Sequence, residues 1–106
     1  MKKLTIEFMP REKQGSKYDW ANINADEKMV GKARCRLSNN EMIIYSIDIF
    51  PEFERKGYGT AFIEEGKKKY NILVADRVRH KADGFWQKMG FKPDDSGNWV
   101  FKKNSL

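Results

Sequence analysis

The chain has 106 residues, the length of one domain built on one core. It is 40% hydrophobic, 13% aromatic and 34% charged, enough apolar material to fold, which argues against disorder over most of its length. Its 21 Lys and Arg against 15 Asp and Glu give a net charge of +6, an excess that favours anionic partners such as phosphates, nucleic acid or acidic surfaces.

The opening Met-Lys-Lys runs into Leu-Thr-Ile-Glu-Phe, too short and too charged for a signal peptide, and no stretch approaches the roughly 18 apolar residues of a membrane span. A cytoplasmic protein without membrane attachment is expected. Leu4, Ile6 and Phe8 alternate with polar residues up to Pro10, the pattern of a strand. Residues 11–28 are polar and irregular and read as a loop with room for at most one short helix. Tyr18 and Trp20 in it either pin the loop to the core or line a pocket.

Residues 29–37 alternate again, with Val30, Lys32, Arg34 and Arg36 on one side and Gly31, Ala33, Cys35 and Leu37 on the other. Ser38, Asn39 and Asn40 form a turn, and residues 41–50, rich in β-branched and aromatic side chains, return as the second strand of a hairpin that Pro51 ends. Cys35 is the one cysteine and reads as a small core filler. With His80 as the one histidine, neither an internal disulfide nor a Cys/His zinc cluster is available, and no metal is expected.

A helix is predicted from about Gly57 to Lys69, with Ala61, Phe62 and Tyr70 inward and three lysines in its last turn, where cations suit the helix dipole. Residues 71–79 begin as a short apolar strand and turn polar. Ala82, Phe85, Trp86 and Met89 then fall at i, i+3, i+4 and i+7, an amphipathic helix that Gly90 stops, and His80 reads as a polar residue at its start. A turn at residues 94–98 leads to a closing strand at Trp99, Val100 and Phe101. The strand, turn, helix and strand from Glu41 to Val78 imply a right-handed crossover between parallel neighbours. The expected fold is therefore α/β (α+β), one domain over residues 1–106 with a central mixed, mostly antiparallel sheet flanked by helices.

The informative stretch is FERKGYGTAF, residues 53–62, where two basic residues precede Gly-x-Gly at a helix start. Such a turn presents backbone N–H groups and the positive end of the dipole, and so binds phosphate. A nucleotide-triphosphate loop needs four residues between its glycines, whereas six separate Gly59 from Gly66. A dinucleotide fingerprint needs a third glycine where Phe62 stands. A third reading is an acyl-coenzyme site. The stretch IDIFPEFERKGYGTAFIEE resembles the coenzyme-binding segment of the GNAT superfamily of acetyltransferases, and ADGFWQKMGF resembles that family's Ala-x-x-Phe-Tyr-x-x-x-Gly-Phe helix. Together they cover residues 42–91.

The resemblance implies a GNAT-like acyl-CoA N-acyltransferase fold and acetyl-CoA as cosubstrate. It implies that the backbone of Arg55, Lys56, Gly57, Tyr58, Gly59 and Thr60 cradles the coenzyme pyrophosphate. It further implies that the strand ending at Ile49 and Phe50 splays from residues 73–75, leaving a gap for pantetheine, with Phe85 and Trp86 contributing from the later helix. Glu54 stands where the family has Gln or Arg, its charge offset by Arg55 and Lys56, and Arg79 stands where the family often has Asn. Trp86 occupies the place of a tyrosine that often protonates the leaving thiolate; an indole donates a hydrogen bond but is no practical acid.

The activity implied is direct transfer of an acetyl group to an amine, whose proton needs a base. Candidates are Asp48, Glu41 and Tyr45, with an ion pair to Lys or Arg as the alternative role for Asp48. The short segment before the hairpin suggests an open acceptor groove, suited to a peptide, protein or polyamine amine more than to a buried small molecule. Two rivals remain open: a coenzyme-binding module without catalysis, motivated by Glu54 and Trp86, and a nucleic-acid-binding protein, motivated by Lys32, Arg34 and Arg36 with Arg77, Arg79 and Lys81.

Overall fold

The computed structural model describes residues 4–103. Seven strands form one sheet: β1 (Leu4–Met9), β2 (Asp19–Ala25), β3 (Lys28–Leu37), β4 (Glu41–Ile49), β5 (Ile72–Ala75), β6 (Lys92–Pro93) and β7 (Trp99–Lys102). Their spatial order is β1-β2-β3-β4-β5-β7-β6. All neighbours are antiparallel except β4 and β5, which run parallel. The crossover between those two is α2 (Tyr58–Lys69); α1 (Arg11–Gln14) is a single turn and α3 (Asp83–Lys88) follows β5. This is the mixed, mostly antiparallel sheet with helices that the pattern predicts.

The antiparallel half zigzags without long connections, so its register follows from inward and outward alternation. Ala21, Ile23, Ala33, Cys35, Met42 and Ile44 point to the core. Phe62 and Ile63 of α2 close over that core from the helix side and are fully buried. Gly66 is the helix position where the sheet comes nearest: a Cβ there would lie 3.1 Å from Leu73 and 3.2 Å from Met42. Burial of a side chain the size of Phe62 contributes about 1.5–3 kcal/mol of transfer free energy. Beside α2, α3 is anchored by Lys67, whose Nζ donates to the carbonyl of Met89 at 2.5 Å and lies 4.4 Å from the Phe101 ring centroid. Trp86 packs between Phe85 and Phe91, each with its ring centroid 4.9 Å away. The predicted stripe at 85, 86 and 89 is thus the face that packs, although its first turn, His80–Ala82, is 3₁₀.

The expected loop at residues 11–28 is corrected by β2, a seven-residue strand in the middle of the antiparallel half. It alternates strictly, but Asn and Asp hold three of its seven positions and Ala two of its inward ones, so it lacks the β-branched signature of a strand. The inward acid is satisfied from far along the chain. Asp19, 4% exposed, accepts hydrogen bonds from the Arg11 backbone N–H at 2.6 Å, the Arg11 guanidinium at 2.7 Å and the Leu37 N–H at 2.8 Å. Burial alone would raise its pKa; the two backbone N–H donors and the charge of Arg11 outweigh it and hold the carboxyl below its ordinary 3.8.

A carboxylate with a depressed folded pKa stabilises above its unfolded pKa, and the contribution disappears as pH falls through the folded value. Asp19→Asn is therefore expected to lower the unfolding free energy by about 1–3 kcal/mol at pH 7 in urea titrations. The gap to the parent chain should narrow below about pH 4. Equal stability of the two chains at pH 7 would contradict the assignment.

Candidate functional site

The parallel pair is short. Residues 41–44 of β4 face residues 72–75 of β5, and the last rung is the Asp76 N–H donating to the Ile44 carbonyl at 2.9 Å. Strand β4 then continues through residues 45–49 without a partner on that side, while staying bonded to β3 as far as Phe50, whose N–H donates to Val30 at 2.8 Å. Two features part the strands. In β4, Tyr45 is an extra residue between the pairs Arg34↔Ser46 and Cys35↔Ile44, a bulge that bends and twists the strand. After β5 the chain is drawn the other way: Arg77 takes a left-handed conformation (φ 46°), its N–H donates to Asn98 Oδ1 at 2.8 Å, and the Val78 N–H donates to Gly97 at 3.0 Å. The 94–98 turn that accepts these bonds is itself tied by Asp94 Oδ1, which receives the N–H groups of Ser96 and Asn98.

Between the parted strands lies a cavity of about 550 Å³. Tyr45, Ser46 and Ile47 wall one side and residues 75–79 the other; Gly59 of α2 and the rings of Phe85 and Trp86 form its floor. Four cationic side chains line it, Arg34, Arg77, Arg79 and Lys81, against one carboxylate, Asp76, which pairs with Arg77 at 3.3 Å. Anions are favoured there.

The glycine-rich turn abuts this cavity. Gly57 caps α2 in the left-handed conformation (φ 84°), and no side chain caps the helix. Arg55 is left-handed as well (φ 64°), so the chain curls tightly around Lys56. The first helical bond is from the Ala61 N–H to Gly57 at 2.9 Å, which places the amides of Gly59 and Thr60 ahead of the intrahelical ladder. Glu54, Arg55, Lys56 and Thr60 are exposed around this turn. Tyr58 is buried and meets the Phe53 ring edge-on at 6.4 Å. Gly59 is close to Phe85: a Cβ there would sit 4.0 Å from the Phe85 ring.

Among the candidate bases, Tyr45 lines the cavity and packs edge-on against Tyr18 at 5.1 Å. Asp48 is exposed farther along the unpartnered arm, opposite Lys32 in register. Glu41 pairs in register with Ile72, at the closed end of the parted strands, away from the cavity. Ile49 and Phe50 are half-buried at the tip of the arm. Cys35 is buried in the core, and its thiol is pushed up to about 12, first by burial and then by the charge of Asp19. It takes no part in the cavity wall. The sequence signals for Arg34 as a wall residue and for Asn98 as a tether are faint, since each depends on register rather than on local motif. The Asp94-x-Ser96 spacing does mark the turn that presents Asn98.

The profile of the Acetyltransferase (GNAT) family matches residues 2–91, and the chain belongs to that family. An uncharacterised N-acetyltransferase of Bacillus pumilus is 37% identical over 49 residues, which are 46% of this chain and 30% of that protein. The chain thus spans about a third of the length of the curated relatives it matches. Among solved structures, the Bacillus subtilis N-acetyltransferase YlbP in complex with coenzyme A superposes with a TM-score of 0.69 at 17% identity, covering 96% of this chain and 97% of that one. A GNAT family acetyltransferase from Elizabethkingia anophelis with acetyl-CoA bound gives 0.66 at 14% identity, covering 93% and 97%. Both share the fold.

Two outcomes are expected from this geometry. Asn98→Ala should leave the fold intact, cost about 1 kcal/mol and speed amide exchange at Arg77 and Val78 relative to residues 72–75; unchanged exchange there would show that the tether does not hold the second arm. Iodoacetamide should leave Cys35 unmodified at pH 8 until the protein is unfolded, because almost no thiolate is present. Labelling of the folded chain would contradict its placement in the core.

Proposed function

We propose that this domain binds acetyl-CoA in the parted strands and transfers the acetyl group directly to an amine. One observation carries the reading: Gly59 belongs both to the first turn of α2 and to the cavity wall, so a phosphate seat and a slot for an extended arm are continuous. A pyrophosphate at the turn meets backbone amides, the dipole end and the nearby Arg55 and Lys56. The unpartnered edge of β4 over residues 45–49 offers main-chain groups to a pantetheine arm in the way that a strand edge accepts an added strand.

When bound, the coenzyme supplies a thioester carbonyl as the electrophile. The amine nitrogen attacks that carbon, the new C–N bond replaces the C–S bond, and coenzyme A leaves as thiolate. A main-chain amide at the bulge would polarise the carbonyl. The chain's further tasks are to accept a proton from the amine and to admit one to the thiolate. Tyr45, at the cavity wall, is the best placed of the three candidate bases; Asp48 is second, and Glu41 stands at the wrong end of the strand. A general acid is worth about 10²–10⁴-fold, but a thiol of pKa near 8.5 leaves tolerably as thiolate at neutral pH. Trp86 in the acid's place therefore slows the reaction without forbidding it.

A second reading, coenzyme binding without turnover, draws on the same Trp86 and on Asp76, the single carboxylate among the lining residues, being paired with Arg77. The nucleic-acid reading is weaker, because four of its six basic residues converge on the cavity instead of forming a flat track. Calorimetric titration separates these readings. Acetyl-CoA and CoA are expected to bind with micromolar affinity, and Gly57→Glu and Gly59→Glu are each expected to abolish it. Gly59 has no left-handed φ to lose, so its variant tests the cradle without added strain. Unchanged affinity in both variants would overturn the loop assignment, and binding without acetyl transfer to any of a panel of amines would favour the second reading.

A further inference from the structure

Residues from both faces of the sheet line the cavity. Gly59, Phe85 and Trp86 lie on the helix side, whereas Arg34 and Ser46, cross-strand partners, point to the opposite face. That face is where Trp20, Lys32 and Arg36 also alternate outward, and no helix of the described residues covers it. Of these three basic residues of β3 Arg34 alone lines the cavity, and like Lys32 over Trp20 it stacks on a ring. Its guanidinium rests on the Tyr18 ring at 4.8 Å from the centroid, and Tyr18 is in turn braced edge-on by Tyr45. No carboxylate among the described residues pairs with Arg34, and its Nε is the one buried side-chain donor among them left without an acceptor. Arg34 is half-buried, its Nε–H is enclosed without an acceptor and no described carboxylate balances its charge, so an anion reaching the guanidinium from the cavity gains a charge-assisted contact.

From this we infer that Arg34 selects the acceptor: the amine that enters from the outer face carries an anionic group, a carboxylate or a phosphate, which docks on the Arg34 guanidinium. This rests on the coenzyme reading above and adds the class of the second substrate. A planar guanidinium held by stacking suits a two-oxygen anion far better than a lysine ammonium would. Arg34 and Ser46 are cross-strand partners, and both line the cavity beside Tyr45.

The test uses matched pairs of primary amines with acetyl-CoA: glycine and β-alanine against glycinamide and β-alaninamide, and O-phosphoethanolamine against ethanolamine, following thiol release. The anionic member of a pair should be preferred by about ten- to a hundredfold in kcat/KM, and the pair in which this appears tells carboxylate from phosphate. Arg34→Gln should cut that preference to less than about threefold, mainly through the KM of the amine, with part of the preference restored in Arg34→Lys; calorimetry on the same variants reports any change in CoA affinity separately. Independently of turnover, the Arg34 Nε–H resonance of the CoA-loaded protein should shift when the anionic amine is added and stay put with its neutral partner. Equal use of both members, or an Arg34 resonance unmoved by every anionic amine up to tens of millimolar, overturns the inference. Loss of CoA binding in the parent chain would instead overturn the coenzyme reading, and the calorimetry reports that separately.

Discussion

The architecture turns on where one parallel ladder stops. Residues 41–44 and 72–75 pair, Asp76 gives the last hydrogen bond to Ile44, and beyond that point the two chains diverge. A sheet that loses pairing in its middle exposes main-chain groups that must be satisfied by something. The divergence is held from both sides: β3 keeps β4 hydrogen-bonded as far as Phe50, and the 94–98 turn tethers residues 77 and 78. Because both restraints are made of hydrogen bonds to fixed partners, the gap is built into the folded state and does not await a ligand to open it.

Around that gap the helices supply complementary chemistry. The start of α2 brings a left-handed glycine and early amides to one end, while α3 lays Phe85 and Trp86 along the floor. The packing that fixes α3, from Lys67 to Met89 and from Trp86 to Phe91, is also what sets the floor's height. Core and site therefore share residues, and substitutions in this cluster should not be read as purely structural or purely functional. The opposite face is open because the segment between β1 and β2 contains only the single turn α1, whose Arg11 is occupied in neutralising Asp19.

Much of this was legible in the chain. The hairpin of β3 and β4 shows in its alternation, α2 and α3 in their spacing, and the turn that starts α2 in Gly57 and Gly59. The family resemblance, carried by two motifs in the right order, anticipated a splay at the end of β4, although residues 73–75 stay paired with 42–44 and the parting begins only beyond Asp76. What escaped were features whose cause is remote in sequence. Strand β2 has inward Asp19, Ala21 and Ala25, and only the distant donors at Arg11 and Leu37 make a buried aspartate tolerable. Two-residue β6 is too short for any periodicity to mark. Arg34 reads as one member of a basic stripe until the bulge at Tyr45 fixes which residues stand beside the gap, since a slip of one residue would turn the whole strand over.

Gly59 joins the α2 turn to the gap between β4 and β5, so the proposed site is one continuous surface. Mapping backbone amide shifts while CoA is titrated into the isotopically labelled chain tests it most directly. Large, saturating shifts are expected in two groups at once, residues 55–60 and residues 45–49, with smaller ones at 76–79 and little change in β1 and β2. Shifts confined to the turn, or clustered on the outer basic face around Lys32 and Arg36, would contradict it.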